Sequence, residues 1–377
     1  MDFSATEEQK ILKKVTRDFL ERECPKQMVR VLTEDEKGYS PQIWRKIAEL
    51  GWLGLAFPSE YGGENGSFMD LVMLMQEMGR ALLPSPYLAS IVLAGFCILQ
   101  AGSEEQKREI LPRLLKGETI LTMAVSESDS VYDASSMEVS AVSSGNGYVI
   151  NGVILFVPYG NVADYLICVA RTKETTEENE GITSFLVDTR REGISISRLK
   201  TLGLDNQCQV TFNETPVLKK DIIGEMKRGR AAIADALERG TVALCAYMNG
   251  GAEQVLEMTL AYAKQREQFG RPLSDLQAIQ HHYADMAIAL EVSCNLTYEA
   301  AWKVSQGVSS TSLISAAKAR ANESYRQIAR LGMMIHGGVG YMKDHDMSLY
   351  YRDAKSAELT FGSTMTHYQN IARELLD

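Results

Sequence analysis

Apolar residues recur at three- and four-residue intervals between residues 4 and 117, most clearly in Ile43 to Leu55 and Met69 to Leu83. That repeat lays one apolar stripe along a helix. Ser103-Glu104-Glu105-Gln106 has the S-x-x-Q form of a capping box and predicts a further helix opening there. After Glu118 the period shortens. Tyr148-Val149-Ile150 and Val153 to Val157, separated by Asn151-Gly152, read as a strand, a type I′ turn and a second strand. Ala163 to Arg171, Thr183 to Asp188 and Gln209 to Phe212 continue as short strands, and the polar stretch Thr172 to Glu180 predicts an exposed loop. From about Gly229 the helical repeat returns in long runs, Ala231 to Lys264, Leu276 to Ser305 and Thr311 to Met334. The order is helices, a compact strand module, then a helical bundle.

With 377 residues the chain can bury several cores, and the changes of period place domain boundaries at 1–117, 118–227 and 228–377. A formal charge of -10 argues against a nucleic-acid partner, which would need clustered Lys and Arg. The cysteines Cys24, Cys97, Cys168, Cys208, Cys245 and Cys294 have no CxxC spacing, so a reducing compartment is expected and a zinc or other metal site is not. Met1 to Lys13 is polar and no apolar run nears the roughly eighteen residues of a span, so a soluble, cytoplasmic protein without membrane contact is expected.

Arg266-Glu267-Gln268-Phe269-Gly270-Arg271-Pro272-Leu273 with Gln277, His336-Gly337-Gly338-Val339-Gly340-Tyr341, and Tyr351-Arg352-Asp353-Ala354-Lys355 together resemble the signatures of the acyl-CoA dehydrogenase flavoprotein family, in order and spacing. The resemblance covers essentially the whole chain. It implies an N-terminal helical domain, a middle β-barrel domain and a C-terminal four-helix bundle, an α+β multidomain fold assembled as a dimer or tetramer. It implies removal of a proton α to a thioester and of a β hydride by FAD, with electron transfer flavoprotein as acceptor. In the family one FAD is shared between subunits. By resemblance Arg266 would pair with its pyrophosphate, Phe269 would pack near the adenosine and Gln277 would hydrogen-bond nearby. Gly337, Gly338 and Gly340 would let backbone amides approach. Met334 stands where the family commonly has Gln.

The half that should hold the chain's own flavin ring departs from the family. Val125 and Ser126 open the segment Ser126-Glu127-Ser128-Asp129-Ser130-Val131-Tyr132-Asp133, where the family has Thr-Glu-Pro-x-x-Gly-Ser-Asp; Ser126 keeps a hydroxyl, but the Pro and Gly are gone. Phe156-Val157-Pro158-Tyr159-Gly160 stands on the family's Trp-Ile-Thr-Asn-Gly, and Pro158 supplies neither hydroxyl nor N–H.

The base is absent from both of the family's positions. Matching Arg352-Asp353-Ala354-Lys355 forward puts Phe361-Gly362-Ser363 on Glu-Gly-Thr, and counting back from Arg266 puts Gly240 on the alternative locus. Glu238 lies two residues earlier, rotated by about 200° on a helix; it is either a substitute base or a surface residue favoured by the helix dipole. The segment Ala81 to Gly102 has no acid, and of the histidines His367 lies closest to Phe361. Loss of the base alongside retention of what a subunit lends to its neighbour resembles the non-catalytic subunit of heterotetrameric acyl-CoA dehydrogenases, with a paralogous catalytic partner. A self-sufficient homotetrameric flavoenzyme using Glu238 or a base-free reaction, and a cofactor-free helical scaffold, are the alternatives.

Overall fold

The structure, a computed structural model, describes residues 6–125, 139–172, 181–308 and 310–376. Its first part is helical: α1 (Glu7–Glu23), α2 (Lys26–Glu34), α3 (Pro41–Glu49), α4 (Phe68–Ala81), α5 (Phe96–Ala101) and α6 (Glu104–Leu115). The capping box at Ser103 forms as the sequence predicts: Ser103 Oγ accepts from Gln106 N, and Gln106 Oε1 accepts from Ser103 N. Leu88–Gly95, leading into α5, winds as a π-helix, a widening that recurs at functional sites. Within Ala81 to Gly102 the helix is therefore interrupted and irregular.

The middle part is a single sheet of β1 (Leu121–Ala124), β2 (Ser140–Ser144), β3 (Gly147–Pro158), β4 (Tyr165–Arg171), β5 (Ile182–Asp188), β6 (Ile194–Leu199), β7 (Gln207–Leu218) and β8 (Ile222–Ile223). Among the described residues the strand order is β6-β7-β3-β2-β4-β5-β8, with β1 paired to β4. Asn151-Gly152 does not turn the chain. β3 runs straight through it because it has neighbours on both edges, β2 and β7, and the irregularity is absorbed as a register shift between Ile150 and Gly152. Asn151 Oδ1 accepts from Glu214 N on β7 instead of bracing a turn. The hairpin lies at Gly145-Asn146, between β2 and β3, where Gly145 has a φ of +57°. The polar loop predicted over Thr172 to Glu180 lies, past Thr172, outside the described residues.

The last part comprises α7 (Gly229–Gln265), the short strands β9 (Glu267–Gln268) and β10 (Arg271–Pro272), α8 (Gln277–Ser305), α9 (Thr311–His336), α10 (Gly338–Tyr341), α11 (Met347–Leu359) and α12 (Thr364–Leu376). The N- and C-terminal helices share one apolar core, which includes Leu71, Leu74, Ile233, Val242 and Val255. The sheet has its own interior around Ile150, Leu166, Phe185 and Val210. The two helical regions meet at a backbone-to-backbone contact of α4 with α7. A Cβ on Gly79 would lie 1.9 Å from the Tyr247 carbonyl oxygen, and one on Gly250 would lie 1.8 Å from that of Gln76. Glycine is required at both positions. The fold is thus a helical N-terminal domain, a central sheet domain and a helical C-terminal domain. Among the described residues no helix is long and apolar enough to cross a membrane.

Candidate functional site

A cavity of about 640 Å³ opens where the three domains meet. The ends of β1 and β3 supply Met123, Val125, Phe156 and Pro158, α7 supplies Glu238, Thr241, Leu244 and Tyr247, and the turn between α11 and α12 supplies Phe361.

That turn is braced from three sides. Phe361 has a φ of +59° and Gly362 one of +104°, so the chain reverses in the left-handed region directly after α11. The buried Lys318 donates to the Ala357 and Glu358 carbonyls at the end of α11 and to Asn322 Oδ1. His367 Nε2 lies 3.0 Å from the Phe361 carbonyl, which can only accept, so Nε2 carries the proton and Nδ1 accepts from Ser315 Oγ at 3.2 Å. Burial and the nearby Lys318 push this imidazole down to about 4, so it is neutral near pH 7.

Phe361 and Gly240 prove to be neighbours. A Cβ on Gly240 would lie 2.4 Å from Leu93 Cδ2 and 3.5 Å from Phe361 Cε2. The space in which an acid at either position would project is filled by the phenyl ring and by Leu93 from the π-helical segment. Glu238 is half-buried and lines the same cavity, although α7 is a continuous α-helix there with no bulge to turn it inward. The cavity is broad enough to reach that flank of the helix. Arg239 points elsewhere, paired with Asp235 at 2.7 Å and lying over the rings of Phe68 and Phe96.

On the sheet side Val125 lines the cavity, whereas Ser126 and the segment through Asp133 lie outside the described residues. Pro158 has no N–H, and its carbonyl already accepts from Thr122 Oγ1 at 2.6 Å. The structure therefore places no donor at the Pro158 position. Phe156, with a φ of +58°, stands half out of the sheet beside it.

Arg266, Phe269, Gln277, Gly337, Gly338 and Gly340 line none of this cavity. They belong to a second surface. Arg266 and Phe269 lie on the β9–β10 hairpin after α7, and Gln277 opens α8. The glycine loop follows α9, and Tyr262 joins the two by stacking on His336 at 4.4 Å between ring centroids. Phe269 is 87 % exposed and Tyr341 81 %. Arg266 and Gln277 are exposed, and a Cβ on Gly270, Gly337 or Gly338 would meet no atom within 4 Å. A cation, an amide, an open glycine backbone and a bare aromatic ring are the donor set and platform that the diphosphate and adenosine of FAD require, so this surface fits that half of the cofactor. Among the described residues no cluster of His, Cys, Asp and Glu could hold a metal ion.

The motif Arg352-Asp353 also has a structural account that its sequence alone did not give. Arg352 donates to the carbonyls of Leu202 and Gly203, clamping the loop before β7 onto α11. Asp353, 6 % exposed, accepts from Tyr325 at 2.8 Å and from Tyr247 at 3.2 Å. Burial pushes its carboxyl up to about 7, with Asp205 adding to the shift against the two tyrosine hydroxyls. Tyr247 was missed in the sequence, although its spacing of seven residues from Gly240 places it on the same face of α7, two turns along.

Models of the acyl-CoA dehydrogenase N-terminal, middle and C-terminal domains match residues 6–118, 122–215 and 227–376. The chain belongs to the acyl-CoA dehydrogenase family and is an oxidoreductase of acyl-CoA thioesters. It is 32 % identical to the acryloyl-CoA reductase (NADH) of Anaerotignum propionicum, over 100 % of this chain and 96 % of that one. It is 31 % identical to the caffeyl-CoA reductase-Etf complex subunit CarC of Acetobacterium woodii, over 98 % and 99 %. Among solved structures it superposes on a chain of the ChsE4-ChsE5 complex from Mycobacterium tuberculosis with a TM-score of 0.91 and 28 % identity, over 100 % and 99 % of the two chains.

Proposed function

We propose that this chain is the base-less subunit of a hetero-oligomeric, FAD-dependent acyl-CoA dehydrogenase, two copies joined to two of a paralogous subunit whose carboxylate performs the proton transfer. One observation carries the reading: the Phe361 ring lies against Gly240, so both positions from which the family's base acts are apolar and physically filled. Abstraction of the α proton needs a carboxylate within hydrogen-bond reach of Cα, and neither position offers one. Bound FAD supplies the hydride-accepting ring. This chain's part is to present Arg266, Gln277 and the Gly337 to Gly340 backbone to its diphosphate and adenosine, and Phe269 as an apolar wall. Electron transfer flavoprotein is the proposed redox partner, in keeping with the Etf complex named for the Acetobacterium relative. The ChsE4-ChsE5 complex is, by its name, an assembly of two different chains. Whether the α,β bond is made or reduced is set by the redox partner, since the same groups serve both directions.

The position of Glu238 on the cavity wall favours a second reading, in which the chain turns over unaided. The two readings separate on a Glu238→Gln variant assayed alone and with the paralogue co-expressed. The first expects no turnover from the chain alone and an unchanged rate for the complex carrying Glu238→Gln. Turnover by the chain alone, falling about a hundredfold or more in Glu238→Gln, would establish the second. The exposed Arg266 and glycine loop count against a cofactor-free scaffold, which needs neither.

A further inference from the structure

The cavity has a closed end. From the level of Phe361 and Gly240 it runs along α7 to Tyr247, about two helical turns or roughly 10 Å further on. There the helices around it are tied together. Tyr247 on α7 and Tyr325 on α9 both donate to Asp353 on α11, at 3.2 and 2.8 Å. Tyr350, a turn earlier on α11, donates to the Arg80 carbonyl on α4 at 2.6 Å. Between α4 and α7 the backbones themselves touch at Gly79 and Tyr247, where even a methyl group has no room. An acyl chain cannot pass between helices packed that closely. The Tyr247 ring, its hydroxyl fixed on Asp353, is therefore the floor of the cavity.

Its walls change character along the same path. Met75, Met78 and Leu82 from α4 and Leu244 from α7 line the stretch above the floor. Around the floor Asp353, Asp205 and Gln207 form a polar end, with Gln207 Nε2 donating to Asp205 Oδ2 at 2.7 Å. Each methylene laid along the apolar stretch should tighten binding about fourfold. One that reached the floor would meet the tyrosine ring and the polar groups beside it, and would gain nothing. An extended chain advances about 1.2 Å per bond, so about eight carbons fill the distance. We propose that this cavity is a closed-ended acyl pocket for short and medium chains, and that Tyr247 is the residue that sets the limit. The inference goes beyond the base-less reading and does not depend on it, since the floor is the same whichever subunit supplies the base.

Binding is the readout, and substitutions are made in this chain only. The protein, purified alone or with its paralogous partner, is titrated calorimetrically with straight-chain saturated acyl-CoAs from about four to about sixteen carbons. Affinity at the site of this chain should climb about fourfold per methylene and then break at about eight carbons. Tyr247→Ala should move the break to longer chains, whereas Tyr247→Phe, which keeps the ring, should hold it. Leu244→Phe, which fills the stretch about one turn above the floor, should move it to shorter ones. Melting temperatures are read in parallel. An affinity that keeps climbing to the longest chain at every site would overturn the proposal, as would a break that none of the substitutions moves. So would the absence of any acyl-CoA site that responds to changes in this chain. The base-less reading is decided separately, by turnover and flavin content.

Discussion

A neutral imidazole holds the turn between α11 and α12. His367 lies 5 % exposed between the Phe361 carbonyl and Ser315, and its proton affinity is depressed to about 4 from the ordinary 6.5. The sign follows from which state binds the proton. An unfolded chain protonates this histidine as the pH drops through about 6.5, whereas the folded chain resists until about 4. The contribution to stability is therefore complete above 6.5 and is lost progressively as the pH falls to 4. Urea midpoints of the wild type and His367→Gln, compared from pH 7.5 down to 4.5, should show a shallower acid loss in the variant, the difference amounting to on the order of 2 kcal/mol. Parallel curves would mean that His367 takes up its proton as readily in the folded chain as in the unfolded one. That His367 is the histidine nearest Phe361 was legible from six positions of separation. That it bonds to the Phe361 backbone was not, because the contact depends on the left-handed backbone at Phe361 and Gly362.

Element by element, the long helices were legible because their apolar repeat is sustained. Ala231 to Lys264, Leu276 to Ser305 and Thr311 to Met334 differ from α7, α8 and α9 by a residue or two at their ends. Asn151-Gly152 misled because a two-residue turn signal is local, whereas β3 is fixed by partners on both edges. β6 escaped notice, its alternation of Ile194-Ser195-Ile196-Ser197 being too brief to stand out. What no periodicity could reveal is the approach of α4 to α7, which depends on Gly79 and Gly250 sitting opposite carbonyl groups. Replacing Gly79 with Ala puts a methyl group into the Tyr247 carbonyl and should destabilise the protein by about 3 kcal/mol, with the helices forced apart. Thermal melts would show the loss, and an unchanged melting temperature would mean that the two backbones are not in contact.

At the scale of the whole molecule two surfaces divide the work. Phe361 stands on the wall of the cavity where the three domains meet, while Arg266, Phe269, Gln277, Gly337 and Gly338 are exposed on a separate surface. The outward set was legible as motifs whose order and spacing resemble the family's signatures. The polar end of the cavity was not, since Asp205, Gln207, Tyr247 and Asp353 come from three separate elements that only the packing brings together. As the base-less subunit proposed above, this chain should need a partner for full flavin binding as well as for chemistry. The most direct test is the ratio of FAD to polypeptide, read from the visible spectrum of the chain purified alone and then co-expressed with a paralogous acyl-CoA dehydrogenase subunit. Little or no flavin is expected in the lone chain and about one FAD per heterodimer in the complex. One tightly held FAD per chain in the lone protein would contradict it.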